Sequence, residues 1–377
     1  MKESIIIRNF GPVEEVAIDD IRPMTVFIGE SGSGKSTIMK TLVLFRWIYK
    51  WVNIRSYLRY SNISQSPFKF DFISYLKNDG TFEYLKPQTE IIYQKGSVTI
   101  HYKNKLATTP IVPADELGLD KMCFIGDKRN TIPDILANGA SVKGFFVNET
   151  YNDFMIASKW YVNELDIPYL GVKYFSKKMP SGGVKYYIGS IGDSKKFQIG
   201  LENASSGIQT VTPLSVIVEY FSKHYDLSWQ FNKVIFDYMS RTDSLKNFRA
   251  QQNIGDVKYR NVHIHIEEPE LGLYPESQRS LINFIVNRCF VQKHNDYGMT
   301  LMLTTHSPYI INHLNLLIRA GDKNRLVEGA KIDYDDLSVF EVREGQISDL
   351  KIVNKHLIYT NPLSDTINDI YDEYNQL

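Results

Sequence analysis

The chain has 377 residues, with 43 Lys+Arg against 43 Asp+Glu and a formal net charge of zero. Hydrophobic residues make up 43% and charged residues 23%, an ordinary globular composition with material for a large buried core. The balance excludes a globally basic nucleic-acid coat protein and an acidic disordered chain, and leaves a local basic patch open. In chain order, residues 4–8 and 14–18 read as two short strands about the Gly11-Pro12 turn. Residues 23–28, PMTVFI, form an apolar run stopped by Gly29, the pattern of a buried strand. From Lys35, KSTIMKTLVLFRWIYKWV holds no Gly or Pro and predicts a helix.

Residues 65–200 are rich in Tyr, Phe and Lys. Within them, EIIYQKGSVTIHYK (90–103) predicts a hairpin about Lys95-Gly96, and residues 172–190 a second about Ser181-Gly182-Gly183. Residues 210–225 return to helix, 262–266 (VHIHI) to strand, 276–292 to helix and 300–305 (TLMLTT) to strand. A hairpin about Gly345 spans 337–353, and the final LSDTINDIYDEYNQL patterns as an amphipathic helix. This alternation predicts an α/β core. Cys123 and Cys289 lie in no C-x-x-C pair, which fits a reducing compartment and argues against structural zinc. The apolar run 5–7 is too short for a signal peptide, and no stretch approaches the roughly 18 apolar residues of a membrane span. A soluble, cytoplasmic protein without membrane contact is expected.

Gly29-Glu30-Ser31-Gly32-Ser33-Gly34-Lys35-Ser36 fits G-x-x-x-x-G-K-[ST] between a predicted strand and a predicted helix. The glycines allow a tight loop whose N–H groups face a phosphate, and the helix presents its positive end to the same anion. Lys35 can reach the β- and γ-phosphates, and the Ser36 hydroxyl can ligate Mg²⁺. The whole loop through Thr37 is the expected ATP contact. A nucleophile elbow is excluded, because Ser33 stands where G-x-S-x-G needs glycine.

VHIHIEEPELGLYP (262–275) places Glu267 and Glu268 at the carboxyl end of an apolar strand, where open α/β sheets bind ligands. Glu267 is expected to hold Mg²⁺, and Glu268 to orient or deprotonate the attacking water. His263 and His265 share a strand face, but no Cys or third His completes a metal site, so they read as strand residues. His306, in TTHSP, follows another strand, and its imidazole can hydrogen-bond a γ-phosphate oxygen.

Together these motifs resemble the ABC-type P-loop ATPase superfamily, in the branch of RecF-, SMC- and OLD-like ATPases. IIIRNFGPVEEVAI resembles that branch's opening strands, IEEPELGLYP its fused acidic-strand and D-loop motif, and TTHSPYIIN its switch-histidine motif. ENASSGIQTVTPL (202–214) is similar to the ABC signature, with Ser205, Ser206 and Gly207 at its centre. The resemblance implies an ABC-type α/β head. It would have a P-loop mixed sheet, an N-terminal antiparallel β subdomain and a compact α/β insertion between phosphate loop and signature. The implied organisation is one head over 1–377. Residues 1–60 carry the opening strands and phosphate-loop helix, 61–200 the insertion, and 201–377 the signature, acidic strand, switch histidine and closing hairpin-helix. It further implies a homodimer or higher oligomer sandwiching ATP, in which Ser205, Ser206 and Gly207 meet the γ-phosphate held by the opposite subunit.

Glu267 stands where most ABC proteins have Asp. The glutamine loop is undefined, with Gln65, Gln88 and Gln94 as candidates, and Arg129 in CFIGDKRNT is a candidate matched by a solvated basic turn. The interval from Lys35 to Ser205 shows no sustained heptads, which argues against a long SMC-type coiled coil. The stretch after His306 is too short for the nuclease domain of OLD proteins. A separate effector, a nuclease or toxin, is therefore the expected partner, as in the ATPase subunits of Septu-type and retron-linked anti-phage systems. DNA or another nucleic acid is a further candidate partner. Basic and aromatic residues interleave at Phe45, Arg46, Trp47, Lys50, Trp51, Arg55, Tyr57 and Arg59, against the simpler reading of an amphipathic helix with its bases outside. A second basic stretch lies at 241–260. Two alternatives stay beside the ATP-hydrolysing switch: a RecF-like DNA-repair ATPase and a scaffold that binds ATP without hydrolysis.

Overall fold

The computed structural model describes residues 1–63, 71–139, 142–161, 163–180, 182–192, 197–241, 257–292 and 296–376. Gln65 and most of the 241–260 stretch lie outside them. Strands β1 (Glu3–Phe10) and β2 (Val13–Ile18) pair antiparallel from Ile5↔Ile18 to Phe10↔Val13. β3 (Met24–Ile28) is buried at every position, as a continuous apolar run in a parallel sheet should be. Helix α1 (Lys35–Tyr60) follows and runs well past position 52.

The helix α1 corrects two expectations. It is enclosed on nearly every side rather than amphipathic, with Leu42, Phe45, Ile48 and Tyr49 fully buried. Arg46 is also buried, and Trp47 and Trp51 pack edge-on, their centroids 5.3 Å apart. Of the basic residues proposed as a nucleic-acid platform on this helix, only Arg59 is exposed. The reason is topological: helix α2 (Phe72–Asp79) and strands from the next hundred residues close over the face that would otherwise meet water.

Beyond α2 come β4 (Leu85–Lys95), β5 (Val98–Lys103), β6 (Lys105–Thr108), β7 (Gly118–Ile125), α3 (Ile132–Asn138) and α4 (Phe145–Ser158). A small antiparallel sheet, ordered β11-β10-β9-β8, contains β8 (Leu165–Ile167), β9 (Val172–Lys178), β10 (Val184–Ser190) and β11 (Gln198–Gly200). Then follow α5 (Ser206–Lys223), α6 (Leu227–Arg241), β12 (Tyr259–Glu267), α7 (Pro275–Val286), β13 (Gly298–Thr305) and α8 (Pro308–Asp322). The chain continues through β14 (Leu337–Arg343), β15 (Gln346–Asp349), the short pair β16 (Lys351–Ile352) and β17 (Leu357–Ile358), and α9 (Asn361–Gln376). The three predicted hairpins form, as β4–β5, β9–β10 and β14–β15; Ser181 of the second lies outside the described residues. Among the described residues no helix is long and apolar enough to cross a membrane.

The main sheet has the order β6-β5-β4-β1-β2-β15-β14-β3-β13-β12-β7. Its first part is antiparallel, and the run β14-β3-β13-β12-β7 is parallel. This is the expected mixed α/β sheet with an antiparallel N-terminal portion. The register brings Ile28, Thr305, Glu267 and Ile125 to one edge, through Ile28↔Thr305, Thr304↔Glu267 and Ile266↔Ile125.

A charged group is buried where α1 crosses the sheet. Arg46 binds both oxygens of Glu3, at 2.7 and 2.9 Å, and Tyr93 donates to the same carboxylate at 2.7 Å. Burial pushes the Glu3 carboxyl up, but the Arg46 guanidinium more than offsets this and holds it at about 2. Arg46 Nη1 lies 2.9 Å from His265 Nε2. A guanidinium only donates, so Nε2 accepts and Nδ1–H faces the Cys123 carbonyl at 3.1 Å. His263 lies 2.7 Å from the Thr300 hydroxyl, and burial with the nearby Arg46 charge holds its imidazole down at about 4. Both histidines are thus buried strand residues.

Arg46→Met should cost about 3–5 kcal/mol in urea unfolding, because it leaves the Glu3 carboxylate buried and unpaired. His263 takes up a proton near its ordinary value of 6.5 in the unfolded chain, but only near 4 in the fold. The unfolded chain therefore binds more protons, and stability should fall as pH drops from 6.5 toward 4. A flat stability profile across that window would contradict the assignment.

Candidate functional site

The turn after β3 is the phosphate loop. Its tip, Glu30 to Gly32, is exposed, whereas Lys35 is buried at the first turn of α1. The Lys35 ammonium donates to the carbonyls of Gly29 at 2.8 Å and Glu30 at 2.6 Å, so it lies within its own loop. Burial lowers its pKa, opposed by the charges of Glu268, Glu270 and Glu30.

One strand spacing beyond β13, the last residue of β12 is Glu267, 2% exposed. The Ser36 hydroxyl lies close enough to this carboxylate to favour its charged form. Lys40 Nζ approaches it at 3.6 Å, and the Asp127 amide at 3.4 Å. Burial raises the Glu267 pKa, the Asp127 charge adds to the rise, and Lys40 and the nearby Ser36 hydroxyl oppose it. Two hard oxygen donors, a hydroxyl and a carboxylate, thus meet where the phosphate loop touches the acidic strand. That donor set fits Mg²⁺.

Glu268 leaves the strand with φ +45, in the left-handed region that non-glycine residues rarely occupy. Its carboxylate turns away from Glu267 and lies 3.3 Å from His306 Nε2, both side chains 32% exposed. His306 is fixed by Glu270, whose Oε1 accepts from the His306 amide at 2.6 Å and from the Thr305 hydroxyl at 2.8 Å. Ser307 caps α8 through its side chain.

Arg129 is buried rather than solvated. Its guanidinium donates to the carbonyls of Gly126 at 3.0 Å, Glu267 at 2.6 Å, Glu268 at 2.6 Å and Thr210 at 3.2 Å. Burial lowers its pKa to about 10, opposed by Glu270, Asp127, Glu267 and Glu268. The residue therefore clamps the ends of β7 and β12 to the start of α5.

Ser205 and Ser206 are exposed at the N-terminus of α5, and the Ser205 hydroxyl makes no capping bond. A Cβ on Gly207 would meet the Gly272 carbonyl at 2.5 Å, so the two turns touch backbone to backbone. The Ser205–Gly207 segment lies against the turns after β7 and β12, roughly 10–14 Å across the sheet from β3 at two to three strand spacings. Lys35, Ser36, Glu267, Glu268 and His306 therefore gather at one edge, and Ser205-Ser206-Gly207 stand apart from the phosphate loop.

Gln88 and Gln94 do not serve this edge. Both are exposed on β4, which β1, β2, β15 and β14 separate from β3. Two acids that do serve it, Asp127 and Glu270, were missed. Glu270 had one signal, its place two residues after the acidic pair in EEPE; Asp127 had none beyond its neighbourhood with Arg129.

The sequence pattern of the AAA ATPase domain family matches residues 1–50 and 47–311. Among solved structures, an SMC head bound to the C-winged helix domain of ScpA aligns with TM-score 0.41 and 10% identity, over 93% of this chain and 98% of that one. An ATP-binding cassette of an ABC transporter aligns with TM-score 0.34 and 13% identity, over 98% and 99%. Among curated proteins none matches.

Arg129→Met removes four hydrogen bonds and should cost roughly 3 kcal/mol, because the carbonyls of Gly126 and Glu268 keep their backbone donors, Arg129 N–H and Leu271 N–H, while the Glu267 carbonyl loses its 2.6 Å partner in a buried place. Urea denaturation reads this directly, and a wild-type midpoint would show the clamp to be dispensable.

Proposed function

The chain belongs to the AAA ATPase domain family, and from that premise we propose that it is an ATP-hydrolysing switch of the ABC type. The observation that carries the proposal is the edge where Ser36 meets Glu267 and Glu268 meets His306. The loop from Gly29 to Thr37 wraps the phosphates. Lys35 trades its two loop carbonyls for phosphate oxygens, a stronger, charged acceptor. Ser36 and Glu267 would hold Mg²⁺, which when bound neutralises phosphate charge. Glu268, half-exposed at the open edge, accepts the proton of the attacking water, and His306 contacts the γ-phosphate beside it.

The separation of the signature from the phosphate loop supports a sandwich of two subunits. Ser205 and Ser206 face outward with an unspent hydroxyl at a helix N-terminus, an arrangement suited to an anion presented by a second chain. Closure on ATP and opening after hydrolysis would then be read by a separate effector, a nuclease or toxin. That last role, with its place in anti-phage defence, rests on the motif resemblance alone.

Glu268→Gln should lower ATP turnover by about 10²–10⁴-fold while leaving ATP binding intact. Lys35→Ala should lose both binding and turnover. With ATP, Glu268→Gln should double its mass by light scattering. Wild-type turnover in Glu268→Gln would remove it as the base, and a monomer with bound ATP would remove the sandwich.

A further inference from the structure

The small sheet β11-β10-β9-β8 has one face in the core and one in water. Alternate residues of a strand point to opposite faces. Tyr174 on β9, with Tyr186 and Ile188 on β10, faces inward and is buried. The outward set is Lys173, Phe175 and Lys177 on β9, and Lys185 and Tyr187 on β10. The register pairs Phe175 with Tyr187 and Lys177 with Lys185.

These residues make an ordered surface. The Phe175 and Tyr187 rings stack at 5.6 Å with an interplanar angle of 18°. Lys177 Nζ lies 5.2 Å from one centroid and 5.4 Å from the other. Gly189 sits beside them, and a Cβ there would meet the Phe175 ring at 3.3 Å, so the missing side chain lets the ring lie flat on the sheet. Phe197, 42% exposed, borders the same groove. Core packing needs none of these outward rings, since the sheet is already sealed on its inner face.

We propose that this open face binds single-stranded DNA. Stacked ring faces offer a platform for unpaired bases, and the row of lysines offers charge to the phosphates. A duplex keeps its base faces covered and cannot use the rings. Two carboxylates border the lysines: Glu164 accepts from Lys173 at 2.8 Å, and Asp166 stands opposite Lys173, so the charge offered to phosphates is concentrated at Lys177 and Lys185. The rings lie flat rather than projecting, which suits bases better than the interior of a membrane. The surface is separate from the ATP edge, so its test does not turn on the ATPase reading.

The probe is a fluorescein-labelled 12-residue oligodeoxythymidine, followed by polarisation with the full chain at low salt. Phe175→Ala with Tyr187→Ala should weaken binding about tenfold or more, the size expected for one or two lost stacks. Reversing Lys173, Lys177 and Lys185 to Glu should abolish binding at moderate salt. Three lost phosphate contacts should also flatten the log–log salt slope by about 2. A duplex of equal length should bind at least tenfold more weakly. All these side chains face water, so circular dichroism and ATP turnover should stay at wild-type values. Absence of oligonucleotide binding overturns the proposal, as does binding unchanged by both sets of variants. Tenfold tighter binding of the matching oligoribonucleotide, or binding of anionic vesicles instead of DNA, overturns it too.

Discussion

Where β7 and β12 end side by side, the carbonyls of Gly126 and Glu267 turn toward one buried guanidinium. A backbone acceptor left unpaired there costs about 1–3 kcal/mol. Arg129 supplies the donors, reaching Gly126, Glu267, Glu268 and Thr210 from a single planar group. A lysine could not do this, because its ammonium is a point charge without the fixed fork of a guanidinium. The clamp also explains how Glu268 keeps φ +45. Its carbonyl is held by Arg129 and its amide by the Thr304 carbonyl at 2.8 Å, so the strained turn is fixed at both ends.

That turn gives two adjacent glutamates different chemistry. Glu267 still belongs to the strand and points into the protein, toward Ser36 and Lys40. Glu268 has left the strand and points toward His306 at the open edge. One carboxylate is buried against donors and the other meets solvent, the kind of division by environment that lets two like groups take different roles. Glu270 completes the arrangement by fixing the Thr305–His306 backbone, so the acidic turn and the histidine turn move as one piece.

Beneath the same edge, the Glu3–Arg46–His265 contacts tie three parts of the molecule together. Glu3 opens the antiparallel portion, Arg46 lies on the helix that begins at Lys35, and His265 stands two residues before Glu267. A buried charge is tolerated only when paired, so these three elements are constrained to one relative position. The phosphate loop and the acidic strand are thereby aligned from below as well as from above.

Much of this was legible in the sequence because it is local. Contiguous apolar runs, the Gly29–Ser36 loop and the breaks at Gly and Pro describe neighbours along the chain, and strands, helices and motif order followed from them. Other features depend on what a residue meets across the fold. Helix α1 patterned as half-exposed, and only the arrival of α2 and distant strands buried Arg46. Arg129 looked like a turn residue because its acceptors lie as far off as Thr210 and Glu268 in sequence. Gln88 and Gln94 were indistinguishable from a functional glutamine until the sheet order placed β4 away from β3. Composition and motif spacing therefore determined the chemistry this chain can hold, a phosphate loop with acids and a histidine to match. Only the tertiary structure decided which acid faces the Ser36 hydroxyl, which faces the histidine, and which basic residues meet solvent. Those outcomes depend on contacts between segments far apart in the chain, which no local pattern encodes.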